Sequence, residues 1–197
     1  MPTSLTLPID EETVRSLHVG DEVRFSGRLI TARAAAHRAL LRELDPAVKR
    51  LVEGSFVYHC GPVVAQDPVT RAWRFVAAGP GTSMREEPYE AELIARYGVR
   101  GVVGKGGMGP ATLAALAARG AVYLHAVGAL AVGLARRVVH VHGVHGLDDL
   151  GVREAIWDIE VKDFPAIVTM DAHGESLHAT LAREAEAARA LLGRTTV

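Results

Sequence analysis

Val99-Arg-Gly-Val-Val103-Gly-Lys105-Gly-Gly-Met108-Gly-Pro110-Ala-Thr-Leu-Ala-Ala-Leu-Ala-Ala-Arg119-Gly120-Ala-Val-Tyr-Leu124 contains two short apolar runs separated by a run of helix formers. Val99 to Val103 reads as a buried strand. Pro110 to Arg119 reads as a helix, because Pro sits in its first turn and Gly120 lies just past its end. Ala121 to Leu124 reads as the next strand, so the stretch predicts a β-α-β unit. Working back towards the N-terminus, Pro88 to Tyr97 has helical character. Trp73 to Ala78 and Phe56 to Val64 read as strands, the second broken at Gly61-Pro62. Ala32 to Leu44 is rich in helix formers, is stopped by Asp45-Pro46 and has Thr31 placed to cap it. Val23 to Gly27, extended by Leu29-Ile30, alternates as a half-buried strand does.

In the other direction, Gly128 to Val138 predicts a buried helix and Val139 to Val144 an alternating strand. Ile156 to Val161 and Ala166 to Met170 predict two further strands, separated by Asp163-Phe164-Pro165. Leu177 to Leu192 carries apolar residues at helical spacing and is expected to pack across the sheet. The mixed order of strands and helices argues for an α/β fold with a mixed sheet and packed helices around one core. Residues 1–197 form one domain on this reading, with residues 1–18 a polar N-terminal arm.

The composition narrows the function classes. At 49% hydrophobic and 23% charged, the 197-residue chain has too much apolar surface for intrinsic disorder. Its 22 Lys and Arg balance 23 Asp and Glu, so no bulk field attracts nucleic acid or an anionic membrane. The longest uncharged apolar run, Ala121 to Ala135, is shorter than the roughly 20 residues that span a bilayer. The N-terminus lacks a basic region followed by an apolar one, and the single Cys60 excludes an internal disulfide. A cytoplasmic location is the expectation.

Several segments carry candidate chemistry. Gly104-Lys105-Gly106-Gly107-Met108-Gly109 fits the G-x-G-x-x-G spacing of a dinucleotide loop between a strand and a helix. No Asp or Glu follows before Asp148 to hold a ribose, so a nucleotide-dependent oxidoreductase is only an alternative. The more general expectation is a small-anion site made by backbone N–H groups, a helix N-terminus and Lys105; a plain tight turn is the other reading. The loop from Gly79 to Arg85 adds flexible backbone, two hydroxyls and a guanidinium, and Arg33 opens a helix after a strand. Arg33, Arg85 and Lys105 at three strand-to-helix edges suggest a dicarboxylate clamp, with surface pairing to acids such as Glu86 or Glu87 as the alternative. His140 and His142 have the spacing of metal ligands on one strand face, against solvent-facing histidines. His59-Cys60 reads as either an activated thiol or a buried strand end, and one cysteine cannot hold an iron–sulfur cluster.

Taken in order, Gly20-Asp-Glu-Val23, Ser26-Gly27, Thr31-Ala-Arg-Ala-Ala-Ala-His37, Tyr58-His-Cys-Gly-Pro62 and Ala78-Gly-Pro-Gly-Thr-Ser-Met-Arg85 resemble the β subunit of class I, iron–sulfur-dependent fumarate hydratase and L-tartrate dehydratase. Glu90-Ala-Glu-Leu-Ile94, Val103-Gly-Lys-Gly-Gly-Met108, Tyr123-Leu-His-Ala126 and Phe164-Pro-Ala-Ile-Val-Thr-Met-Asp171 extend the resemblance over nearly the whole chain. The resemblance implies a swivelling β/β/α domain and an α-subunit partner whose three cysteines hold a [4Fe–4S] cluster, none being bound by this chain alone. It also implies a heterotetramer of two α and two β chains and a reaction that dehydrates a 2-hydroxy dicarboxylate, L-tartrate to oxaloacetate or malate to fumarate. Arg33, Arg85 and Lys105 match family positions that contact substrate. The family loop resembles Gly-Pro-Thr-Thr, whose Thr hydroxyl takes the proton, whereas this chain has Gly81 in the first Thr slot and keeps Thr82. Thr82 is therefore the candidate base, and a non-catalytic organic-acid-binding or assembly subunit is the alternative that Gly81 raises.

Overall fold

The computed structural model describes residues 1–42 and 46–193. In chain order the elements are β1 (Thr3–Thr6), α1 (Glu11–Arg15), β2 (Glu22–Thr31), α2 (Ala34–Leu40), α3 (Pro46–Val52), β3 (Phe56–Tyr58), β4 (Val63–Gln66) and β5 (Trp73–Ala77). They continue with α4 (Glu87–Tyr97), β6 (Gly101–Gly104), α5 (Pro110–Arg119), β7 (Val122–His125), α6 (Ala131–Ala135), β8 (Val138–His145), α7 (Leu147–Leu150), β9 (Ile156–Met170) and α8 (Leu177–Gly193). Short 3-10 turns at Ser83–Arg85 and Gly128–Leu130 precede α4 and α6.

Among the described residues the strands form a mixed sheet in the order β1-β2-β3-β6-β7-β9-β8, with β4 and β5 as a separate hairpin. β1, β2, β3, β6 and β7 pair in parallel, as strands joined by helical crossovers must. β9 runs antiparallel to both β7 and β2, which closes β2, β3, β6, β7 and β9 into a ring. The period-2 alternation of side chains then sorts residues into two cores. Leu29, Phe56, Tyr58, Val103, Val122 and Leu124 join Phe25, Trp157 and Phe164 on one face. Ile30, Val57, Val102 and Tyr123 face the other way, against Ala36, Leu40, Leu93, Ile94 and Leu116 of the helices. Both faces of β3 and β6 are buried, which explains their unbroken apolar character.

The β-α-β reading of Val99 to Leu124 matches β6, α5 and β7 within two residues. Other expectations change. Residues 1–18 hold β1 and α1, and Leu5, Leu7, Val14 and Leu17 enter the core, so this segment is not a polar arm. Its polar composition hides four apolar contacts spaced for two different elements. Thr31 does not cap α2: its hydroxyl accepts from the Trp157 N–H at 3.1 Å, and Arg33 is the N-cap residue. The end of the expected helix at Glu43, Leu44 and Asp45 lies outside the described residues. The two strands expected after residue 155 are one strand, β9, with β2 along one edge. Its other edge pairs with β8 through Val161 and with β7 from Ile167 onward. Asp163, at φ +50°, and Pro165 lie in the switch between these two partners, where the proline's missing N–H is tolerated.

The segment from Gly128 is half exposed, with Leu130 and Val132 in solvent and Leu134 and Ala135 buried. α8 does not cross the sheet: residues 181–190 are exposed throughout. Its apolar spacing makes an amphipathic helix, and the sheet face it was expected to cover is occupied by α2, α4 and α5.

Phe164 lies on the closing strand, stacked on Phe25 at 4.9 Å and edge-on to Tyr58 at 5.3 Å. It is fully buried. Phe164→Ala is expected to lower unfolding free energy by about 3–5 kcal/mol in urea titrations. A loss below about 1 kcal/mol, the size of an ordinary substitution, would mean that the ring closure does not depend on this packing.

Candidate active site

The carboxyl ends of β2, β3 and β6 lie side by side, the edge at which open α/β sheets place their ligands. Arg33 follows β2, His59-Cys60-Gly61 follows β3 and Lys105 follows β6. The loop after β5 is drawn onto the same edge by several bonds. Cys60 bridges to Pro80, the Gly81 N–H donates to the His59 carbonyl, and the Tyr58 hydroxyl donates to the Ala78 carbonyl. Thr82 and Lys105 then pair as a one-residue parallel ladder: the Lys105 N–H donates to Gly81 O at 3.2 Å and the Ser83 N–H to Lys105 O at 3.1 Å.

Two of the four expected site residues, Thr82 and Lys105, are thus joined through backbone. Arg85 stands at the end of the 3-10 turn that starts one residue after Thr82, exposed, and among the described residues no acid pairs with it or with Lys105. The Lys105 side chain runs alongside Gly128, where a Cβ would sit 3.7 Å from its Nζ. Arg33 is half-buried and paired with Glu154 at 2.9 Å, not with Glu86 or Glu87. Glu154 also accepts the Ala35 N–H at 2.9 Å, so it completes the N-terminus of α2.

Beneath these loops lies a polar chain that spacing alone did not reveal. His37, His59 and Glu90 have no exposed surface. Glu90 Oε2 lies 2.9 Å from Nε2 of both His37 and His59. The other nitrogen of His37 donates to the Arg33 carbonyl at 2.9 Å, and that of His59 lies 2.9 Å from Ser83 Oγ, itself 2.8 Å from the Tyr123 hydroxyl. Gly104 makes room for this chain, since a Cβ there would lie 1.9 Å from Ser83 Oγ and 3.0 Å from the Tyr123 oxygen. Burial alone would raise the Glu90 carboxyl, and the two histidines outweigh it, holding it at about 2. Burial, the largest single influence, would lower His37, but the charge and hydrogen bond of Glu90 together with the Arg33 carbonyl and the Glu86 charge outweigh it and raise it. Burial raises the neighbouring Glu86, whose Oε2 has no partner.

Among the described residues, His37, His59 and Glu90 are the only group of three such side chains close enough to share an ion, their ligand atoms lying within 4.8 Å. The hydrogen bonds already assign that space to protons. His140 and His142 do not form such a group; their rings lie 4.5 Å apart and His142 meets Glu160 at 3.2 Å near the surface. Burial pushes the Cys60 thiol up to about 12, so at neutral pH it is not an activated nucleophile. With a single cysteine, the chain's residues do not fit an iron–sulfur cluster, which takes several thiolates. The anion site expected at Gly104 to Gly109 is also changed. Glu87 accepts the Gly109 N–H at 2.8 Å, the Thr112 hydroxyl at 2.6 Å and the Thr112 N–H at 3.3 Å, filling the helix N-terminus where a pyrophosphate would sit.

Ionised Glu90 and protonated His37 make stability depend on pH. A carboxyl held at about 2, against 4.5 unfolded, contributes stability above about pH 4.5 that is lost as pH falls towards 2. A histidine raised from 6.5 contributes below that value and loses its contribution as pH rises through its folded value. The difference in urea midpoint between wild type and Glu90→Gln is therefore expected to be largest between about pH 4.5 and 6.5 and to shrink on both sides. A difference that does not vary with pH would mean that the pair is not ionic.

Comparison with known proteins is consistent with the resemblance in the motifs. Residues 3–181 match the family described as Fumarase C-terminus. A protein of Geobacillus stearothermophilus with the provisional name of a class I fumarate hydratase is 47% identical over 175 residues; the match covers 89% of this chain and 33% of that protein, so the chain spans about a third of its length. The L(+)-tartrate dehydratase subunit beta of Escherichia coli K12 is 38% identical over 178 residues, covering 90% of this chain and 87% of that one. A protein of Methanocaldococcus jannaschii, provisionally named as the same kind of subunit, is 39% identical over 173 residues, 86% of this chain and 88% of its own. The match to most of the sequence shows that the chain belongs to the Fumarase C-terminus family.

Proposed function

We propose that this chain is the β subunit of a hydro-lyase that reversibly dehydrates a 2-hydroxy dicarboxylate, L-tartrate to oxaloacetate or malate to fumarate, together with an α subunit. One observation carries the reading: Arg33, the Thr82 loop and Lys105 converge on one edge of the parallel sheet, where Lys105 and Arg85 have no acid among the described residues. Two cations without internal partners beside an exposed hydroxyl suit a small dianion. The names of the tartrate dehydratase β subunits and of the class I fumarate hydratase support the same chemistry.

Dehydration removes a proton from one carbon and hydroxide from its neighbour. In this reading Arg85, Lys105 and Arg33 hold the carboxylates, with Arg33 exchanging part of its pairing to Glu154 for substrate. Thr82 gives up its hydroxyl proton to water, a loss that the neighbouring Lys105 favours, and the alkoxide takes the proton from carbon, while the hydroxide would leave to the Lewis acid that the α subunit supplies. The [4Fe–4S] cluster belongs to the α subunit, and the complete enzyme is a heterotetramer of two α and two β chains. Gly81 supports a second reading, an organic-acid-binding subunit without turnover.

An anaerobic pull-down with this chain as bait, followed by malate and tartrate assays of the recovered complex, tests the function. Arg85→Ala or Lys105→Ala in that complex is expected to lower kcat/KM by about a hundredfold or more, the equivalent of one lost charge-assisted hydrogen bond. Kinetics close to wild type would remove the clamp. A Cβ at Gly81 would lie 3.1 Å from the His59 carbonyl, so a side chain there requires that backbone to give by a few tenths of an ångström. If the absent Thr limits the rate, Gly81→Thr raises kcat with the same partner. An unchanged or lower kcat assigns the limit elsewhere.

A further inference from the structure

We propose that Glu90 is a positioning residue whose single carboxylate oxygen sets the spacing between the Arg33 segment and the Thr82 loop. The inference rests on the reading of Arg33 and Thr82 as substrate-facing groups. Hydrogen-bond polarity supports it. The Arg33 carbonyl only accepts, so His37 Nδ1 carries a proton; ionised Glu90 also accepts, so His37 Nε2 carries a second. His37 is thus an imidazolium whose counter-ion is Glu90. His59 directs an Nε2 proton to the same oxygen, and its Nδ1 is hydrogen-bonded to Ser83 Oγ, which is in turn hydrogen-bonded to the Tyr123 hydroxyl.

Each arm ends on a segment of the candidate site. Through His37 the carboxylate holds the carbonyl of Arg33 itself. Through His59 it holds Ser83, the residue after Thr82, whose N–H also reaches Lys105. Glu90 comes from α4, which supplies none of the four candidate residues. The groups around it are His37 and Arg33 at α2, His59 after β3, Glu86 before α4 and Tyr123 on β7. None of these elements could shift by an ångström without breaking a bond to a fully buried partner.

Hydrogen exchange followed by mass spectrometry on the full chain, and kinetics of its complex with the α subunit, test the assignment. Glu90→Gln keeps the shape and removes the charge that holds His37. Exchange is expected to quicken in residues 33–40 and 81–85 together while residues 138–145 and 156–161 keep wild-type rates. Acceleration spread over the whole sheet, or confined to α4, would overturn the proposal. In the complex, His37→Gln releases only the Arg33 arm and is expected mainly to raise KM, whereas Ser83→Ala releases only the Thr82 arm and mainly lowers kcat. Glu90→Gln does both and loses roughly a hundredfold in kcat/KM, the cost of an ångström-scale misplacement. Identical patterns from the two single-arm variants would overturn it, as would one divalent ion per chain retained through purification and chelation. A wild-type complex that dehydrates neither malate nor tartrate would refute the hydro-lyase reading, and the exchange pattern would still decide the role of Glu90.

Discussion

A carboxylate with no exposed surface accepts hydrogen bonds from two histidines, His37 on α2 and His59 just after β3, and the site edge is organised around it. An isolated ion there would be strongly disfavoured by desolvation; the two histidines on Oε2 offset that cost, while the buried Oε1 has no hydrogen-bond partner among the described residues. The dependence is asymmetric. Replacing the whole set by apolar residues of the same shape is a smaller loss than removing one member, because one removal leaves a buried charge alone. Glu90, His37, His59 and Ser83 therefore form a unit in which each residue makes the others affordable.

The ring of strands gives this unit its rigidity. β9 binds β2 along one edge and passes from β8 to β7 along the other, so the parallel strands carrying the loops cannot splay. Opposite faces of the same strands serve two cores, and the short length of β3 and β6 is sufficient because both faces are buried. The loops stand at the carboxyl ends, where the chain leaves each strand in the same direction and neighbouring connections meet.

Much of this was legible in order of elements. Apolar runs bounded by Gly and Pro located β3, β6, β7 and α5, because those local signals agree with the buried faces the fold requires. The N-terminal strand escaped because its four residues have one buried side chain, too few to show alternation. The continuity of β9 escaped because Asp163 and Pro165 look like a break unless the change of partner is known. α8 shows the limit of a periodic pattern, which reports an amphipathic face and not what covers it. Thr82, Arg33, Arg85 and Lys105 could be picked out as polar groups in loops, yet His37, His59 and Glu90 lie 22 and 31 positions apart in sequence order and meet only in the folded chain. His59 was visible only as a neighbour of Cys60, and the burial of Cys60 explains why that pairing has no chemistry.

The glycine-rich turn after β6 has one more consequence, through Glu87. Its carboxylate is attached to the same chain as the helix end it occupies, and so meets the Gly109 and Thr112 donors at the high effective concentration of an intramolecular ligand. Any phosphate arriving from solution competes with that tethered group from a far lower concentration. In a loop whose spacing imitates theirs, one side chain thus disfavours nucleotides, and it does so without any contact to the molecule being refused.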